Sequence, residues 1–242
     1  MSTDFTSRPL VHSISGTDGV VVERHTYATD LPFSIYRPPG GASTAILIVN
    51  GLPDPGVTKM LGKPLAEWRG YQDWARLIAA SGVAAITYEN RTPDDVFALV
   101  DHLRARFTRL GVFACSGHGP MGLAAFARAE LAFAAIVYGY LLDLDGATHV
   151  KDAAKQFHFA TPTPPLALDD LPRDKPLLIV RAGKDTTPGL GESMQRFLDR
   201  TRDRSIDLLE HAEAPHAFDL VDDSPRTHAV IDETLAWISR RA

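Results

Sequence analysis

Three residues of this chain have the types and the order along the sequence that acyl transfer through an activated serine requires. The most informative string is RLGVFACSGHGPMGLAAFAR, where an apolar run leads into Ser116 among small residues and then directly into an Ala-rich stretch. A strand that turns sharply into a helix strains the residue at the turn and lifts its hydroxyl above the sheet edge, so small neighbours are needed to avoid clashes. In the register centred on Ser116 the positions two before and two after are Ala114 and His118, an imperfect Gly-x-Ser-x-Gly. Centring on Cys115 places bulky Phe113 where the strand must pack. Taken alone, Ser116 also reads as the N-cap of the following helix, a position that serine favours.

An acid and then a base should follow such a nucleophile along the chain. Asp185 lies just beyond the apolar run of KPLLIVRAGKDTTPG, at the carboxyl edge where open α/β sheets build their sites. A lone aspartate there also reads as a helix cap or as an Asx-turn with Thr187. His216 sits in HAEAPHAFD, after the strand SIDLLEH and the break at Pro215. It also reads as a solvated loop residue, and His211, within or at the end of the strand, is a weaker rival. The conjunction selects the catalytic readings, because an elbow-like serine, a post-strand aspartate and a post-strand histidine fall in the required order.

These residues need a sheet to hold them. The first ~40 residues alternate apolar and polar positions in VVVERHTYATD and LPFSIYRPPG, which predicts two half-buried antiparallel strands. TAILIVNG, VAAITYEN, RLGVFACS, LAFAAIVYGY and KPLLIVRAG are short apolar runs that read as parallel strands buried on both faces. Between them EWRGYQDWARLIAASG, PDDVFALVDHLRARF and GLGESMQRFLDRTRD carry helical spacing, and SPRTHAVIDETLAWISRRA is a final helix. Strands alternating with helices imply a doubly wound, mostly parallel α/β sheet of about eight strands with right-handed crossovers. Residues 142–172 interrupt the rhythm with THVKDAAKQFHF and the proline-rich TPTPPLALDDLP, and so are expected to form a lid, a site wall or a loose connection.

Composition narrows the partners. The 242 residues are 45% hydrophobic, enough for one α/β domain spanning 1–242. The net charge of −5 is spread over mixed signs without a Lys/Arg cluster, which argues against nucleic acid or a membrane surface. MSTDFTSRPLVHS lacks a basic and an apolar leader region, and no apolar run approaches ~20 residues, so a soluble cytoplasmic protein is expected. One cysteine, Cys115, excludes an internal disulfide and a Cys₂His₂ or Cys₄ zinc site, and the remaining histidines have no metal-ligand spacing. The chemistry outlined above needs no cofactor. Oligomeric state has no signal in the sequence.

The arrangement resembles the α/β-hydrolase superfamily over roughly residues 20–240. The strings AGKD and PHAFD, with a short chain and little cap, are similar to its dienelactone-hydrolase-like branch. The resemblance implies Ser116 as nucleophile, Asp185 as triad acid and His216 as triad base. Dienelactone hydrolases proper use a cysteine nucleophile where this chain has serine, so their lactone specificity does not carry over. Their His-Gly after the third strand stands here as Asn50-Gly51, followed by LPDPG.

That loop has a physical role of its own. It follows a central strand, where the N–H of Leu52 could join that of Gly117 as an oxyanion hole, whereas Pro53 and Pro55 have no N–H to give. An ordinary Pro/Gly turn is the alternative. Tyr88, Glu89 and Tyr140 are candidates for the pocket wall, or else packing residues. His118 could steady an acyl group, meet a substrate carboxylate or fill space at the helix start. The reading as a whole is a serine hydrolase for carboxylic esters of small acyl groups, with a lactone hydrolase as the nearest alternative. A small peptidase, or a ligand-binding or interaction protein on the same fold, is further off.

Overall fold

A computed structural model describes residues 5–241. Eight strands form one sheet: β1 (Val21–Tyr27), β2 (Leu31–Arg37), β3 (Thr44–Ile48), β4 (Ala84–Tyr88), β5 (Arg109–Cys115), β6 (Phe133–Val137), β7 (Leu177–Ala182) and β8 (Ile206–His211). Their spatial order is β1-β2-β4-β3-β5-β6-β7-β8, with β3 to β8 parallel and β1 and β2 forming an antiparallel extension at one edge. The helices are α1 (Asp54–Leu61), α2 (Arg69–Ala80), α3 (Asp95–Leu103), α4 (Gly119–Arg128), α5 (His149–Phe157), α6 (Leu190–Arg200), α7 (Phe218–Val221) and α8 (Pro225–Ser239).

The apolar runs are continuous because the parallel strands are covered twice. In β3, Ala45 and Leu47 face one core while Ile46 and Ile48 face the other. In β5, Leu110, Val112 and Ala114 share the first core, built from α3, α4 and α6, and Phe113 and Cys115 share the second, built from α2 and α8. This period of two places Cys115 beneath the sheet, among side chains of the α2 layer.

After β3 the chain moves outward through α2 to β4, then returns on the opposite face through α3 to β5. The reversal leaves a crevice beyond the carboxyl ends of β3 and β5, the place where doubly wound sheets hold ligands. The loop 49–52 and Ser116 both stand there.

Two short helices were not anticipated from sequence. The PDPG segment, expected as a plain loop, opens α1, because proline is tolerated in a first helical turn where its missing N–H has no partner to lose. Gly62 closes α1 in a left-handed conformation, its N–H donating to the Thr58 carbonyl. The other is α7, a single turn directly after His216.

The double cover predicts a contrast. Ile46→Ala, which empties a fully buried site, should cost about 2–5 kcal/mol. Leu208→Ala, on the exposed side of the edge strand β8, should fall within about 0.5 kcal/mol of the parent. Urea unfolding of both variants measures the difference.

Candidate active site

At the crossing from β5 to α4 the chain makes one tight turn over Ser116–His118, and Ser116 takes φ +51°. That left-handed backbone costs a residue with a Cβ roughly 1–3 kcal/mol and persists only where the surroundings enforce it. Here they do. The Tyr140 N–H donates to the Ser116 carbonyl at 3.1 Å. A Cβ on Gly119 would collide with the Tyr140 carbonyl, and one on Gly122 would lie 2.8 Å from the Ala114 Cβ. The demand for small residues thus falls on positions 114, 119 and 122, which leaves position 118 free to carry a histidine.

The Ser116 hydroxyl is engaged with a histidine rather than with a helix cap. Its Oγ lies 2.9 Å from His216 Nε2, and His216 Nδ1 lies 2.6 Å from Asp185 Oδ2. With the carboxylate facing Nδ1, that nitrogen donates, and Nε2 is left to accept from the serine. Asp185 also makes the Asx-turn, its Oδ1 accepting the Thr187 N–H at 2.8 Å, so both sequence readings of this residue hold together. Burial works to raise the Asp185 pKa, but hydrogen bonds from His216 and Thr187 outweigh it and hold the carboxyl below the usual range. The imidazole packs edge-on against Tyr138, 5.2 Å between ring centres. His211 is elsewhere: it ends β8, buried, with Nε2 3.0 Å from Thr227 Oγ1.

The loop after β3 is cross-braced. The Asn50 N–H donates to the Tyr88 hydroxyl at 3.1 Å, and Asn90 Nδ2 donates to the Asn50 carbonyl at 3.2 Å. Gly51 donates to His118 Nδ1 at 2.7 Å, and its missing Cβ would sit 2.9 Å from the His118 Cα. His118 is therefore a brace between loop and turn, a role its position next to Ser116 did not reveal. Because Nδ1 accepts, the ring carries its proton on Nε2, and burial lowers its pKa to about 4.

The expected pair of oxyanion donors is only half free. The Gly117 N–H has no hydrogen-bond partner among the described residues. The Leu52 N–H donates to Asn50 Oδ1 at 3.0 Å, because the asparagine that ends the strand closes its own turn over the loop. Of the pocket candidates, Tyr140 lines the cleft and anchors it, its hydroxyl donating to the Pro188 carbonyl at 2.6 Å. Tyr88 lines neither chamber beside Ser116 and serves as the acceptor for Asn50; Glu89 likewise stays outside both.

Ser116 stands between two chambers. One, of about 530 Å³, is bounded by Leu52, Gly117, Tyr140, Phe159 and Thr187. The second, of about 540 Å³, runs back toward α2 and α7. The segment 142–172 meets the first directly: Phe159 fills the space over Gly117, and the Ala160 N–H donates to the Gly51 carbonyl at 2.8 Å. Among the described residues no group of three or more His, Cys, Asp or Glu is placed to hold a metal ion. Nor is any described helix long and apolar enough to cross a membrane.

No protein-family model and no curated sequence matches the chain. Solved structures do. Esterase Est22 superposes with a TM-score of 0.63 at 15% identity, over 94% of this chain and 82% of that one. A thermostable esterase from Pseudomonas putida ECU1011 gives 0.61 at 15% identity over 92% and 82%. Carboxyl esterase 2 from Tuber melanosporum gives 0.61 at 14% identity over 96% and 90%. This is the α/β-hydrolase fold. At such identities the likeness speaks for the architecture.

The buried His118 gives a measurable linkage. Its folded ring takes a proton only near pH 4, whereas the unfolded ring does so near 6.5. Between those values the unfolded chain binds more protons, so acid favours unfolding. The loss is about 3 kcal/mol by pH 4, since each pKa unit is worth ~1.4 kcal/mol. His118→Asn, which keeps an acceptor for Gly51 and removes the titration, should lose about 3 kcal/mol less than the parent between pH 7 and pH 4. Urea titrations at the two pH values provide the check.

Proposed function

We propose that the protein is a serine carboxylesterase acting on esters of small acyl groups through an acyl-enzyme. The observation that carries this reading is the unbroken relay from Ser116 through His216 to Asp185 on a strained turn at the sheet's crevice. That solved structures of the same fold are named esterases supports it.

In this mechanism His216 Nε2 takes the hydroxyl proton as Ser116 Oγ attacks the ester carbonyl carbon. Asp185, held ionised, steadies the imidazolium that results. The negative oxygen of the tetrahedral intermediate is met by the Gly117 N–H and by the Leu52 N–H, which exchanges Asn50 Oδ1 for the stronger acceptor. Each such donor is worth about 3–4 kcal/mol of barrier. His216 then returns the proton to the departing alkoxide. Water, activated by the same imidazole, releases the acid and restores Ser116. Segment 142–172 acts as a site wall, with Phe159 closing one side of the first chamber.

Cys115 has no part in this relay. It is a buried member of the α2-side core, and burial pushes its thiol well above the ordinary range, away from the thiolate that nucleophilic attack needs. A fluorophosphonate should therefore label the parent once, at Ser116. Ser116→Ala should lose both labelling and ester hydrolysis, while Cys115→Ala keeps most of each. The opposite pattern would make the chain a cysteine hydrolase. His216→Ala should remain folded by circular dichroism and lose several orders of magnitude in kcat.

Acyl length provides a second test. The short-chain reading rests on the limited cover that segment 142–172 gives the cleft. In a p-nitrophenyl ester series kcat/KM should peak at or below about six carbons, the gain of ~0.8 kcal/mol per buried methylene ending once the chain extends past the cleft. A maximum beyond ten carbons would contradict the small-acyl reading. Including lactones in the panel separates the nearest alternative.

A further inference from the structure

The chamber on the α2 side holds a buried acid that the relay does not use. Trp68, Tyr71, Phe157, Leu61 and Leu220 form its walls, and Asp219 of α7, 2% exposed, is also part of its lining. Asp219 Oδ2 accepts the Trp74 Nε1–H at 2.7 Å and Oδ1 accepts the Tyr138 hydroxyl at 2.7 Å. Both donors are neutral. Neither Lys nor Arg lines the chamber, and Asp219 is the one carboxylate among the described residues that do. Its own backbone N–H is a further donor, and a carboxylate accepts about four hydrogen bonds in all, so capacity remains. Burying a carboxyl without a cation is costly, and burial does raise the Asp219 pKa against the pull of Trp74 and Tyr138. An acid needed only to join α7 to α2 could be replaced by a neutral acceptor at less cost. Beside an open, aromatic-walled space its charge has a use.

We infer that this chamber is a subsite for a positively charged, amine-bearing portion of the ester, held by Asp219 and by the ring faces around it. Aromatic faces attract an ammonium group through their quadrupole, most strongly where water is excluded. The same carboxylate repels an acidic group, so the expected order of preference is cation, then neutral isostere, then anion. The inference rests on the esterase reading for its turnover consequences, and on the chamber alone for its binding consequences.

Two isosteric pairs test it from either side of the ester bond. One pair is 2-(trimethylammonio)ethyl acetate against 3,3-dimethylbutyl acetate; the other is methyl 4-(trimethylammonio)butanoate against methyl 5,5-dimethylhexanoate. In the parent protein kcat/KM should favour the cationic member of at least one pair by about tenfold. Asp219→Asn should bring that ratio close to one. Should Asp219→Asn fail to fold, Tyr71→Leu, which removes a ring from the wall, should lower the ratio severalfold. Equal or better turnover of both neutral members, or a ratio unchanged in a folded Asp219→Asn, would overturn the inference. Binding to the resting protein separates this from the hydrolase reading. Calorimetry with choline and with 3,3-dimethylbutan-1-ol should show choline bound about tenfold tighter even if no ester is hydrolysed, and the reverse order would dispose of the subsite.

Discussion

The site depends on one steric constraint, the close approach of the β5–α4 turn to the chain leaving β6. The Tyr140 carbonyl occupies the space that a side chain at 119 would need, and the Tyr140 N–H fixes the Ser116 carbonyl. Together they force Ser116 into its left-handed conformation. The hydroxyl of the serine held there makes no helix-cap hydrogen bond and faces His216. The cost of the strained residue, about 1–3 kcal/mol, is offset by the cores on either side of the sheet. Stability far from the crevice thereby sets the position of Ser116.

Electrostatics then distinguishes the buried acids. Asp185 is almost enclosed yet remains below the ordinary carboxylate range, because His216 and Thr187 donate to it from two directions. Asp219 is as deeply placed and goes the other way, because its donors are neutral and do not outweigh desolvation. The buried His118 is held uncharged by the same penalty acting on a base. An uncharged ring is what the brace requires: a protonated Nδ1 would face the Gly51 N–H donor to donor.

Much of this was legible in the residue string. Runs such as TAILIV and KPLLIV carry the double burial of parallel strands on their surface, and an Ala-rich stretch after a serine fixes the turn to within a residue. The order of Ser116, Asp185 and His216 follows from the chain, and their mutual distances agree with it. The partners of backbone groups were not legible. Whether the Leu52 N–H is free depends on a rotamer of Asn50, and whether His118 points outward or back to Gly51 depends on a contact across 67 positions. Tyr88 had the right address at the sheet's carboxyl edge, but its hydroxyl turns to Asn50 instead of the cleft. Helix α1 escaped notice because two prolines within four residues read as a turn, although both fit the start of a helix.

The hydrogen bond from Ala160 to the Gly51 carbonyl ties the wall over the cleft to the loop beneath it. Gly51 is also clasped from the other side by His118, so this single residue is a unit tethered both at its carbonyl oxygen and at its nitrogen. A displacement of Phe159 cannot leave that unit undisturbed, and a shift of the loop is transmitted outward to the wall. Width of the opening and aim of the nearby amides are thus one mechanical variable. Lengthening or shortening the proline-rich stretch that follows Ala160 would retune the amides as well as the opening.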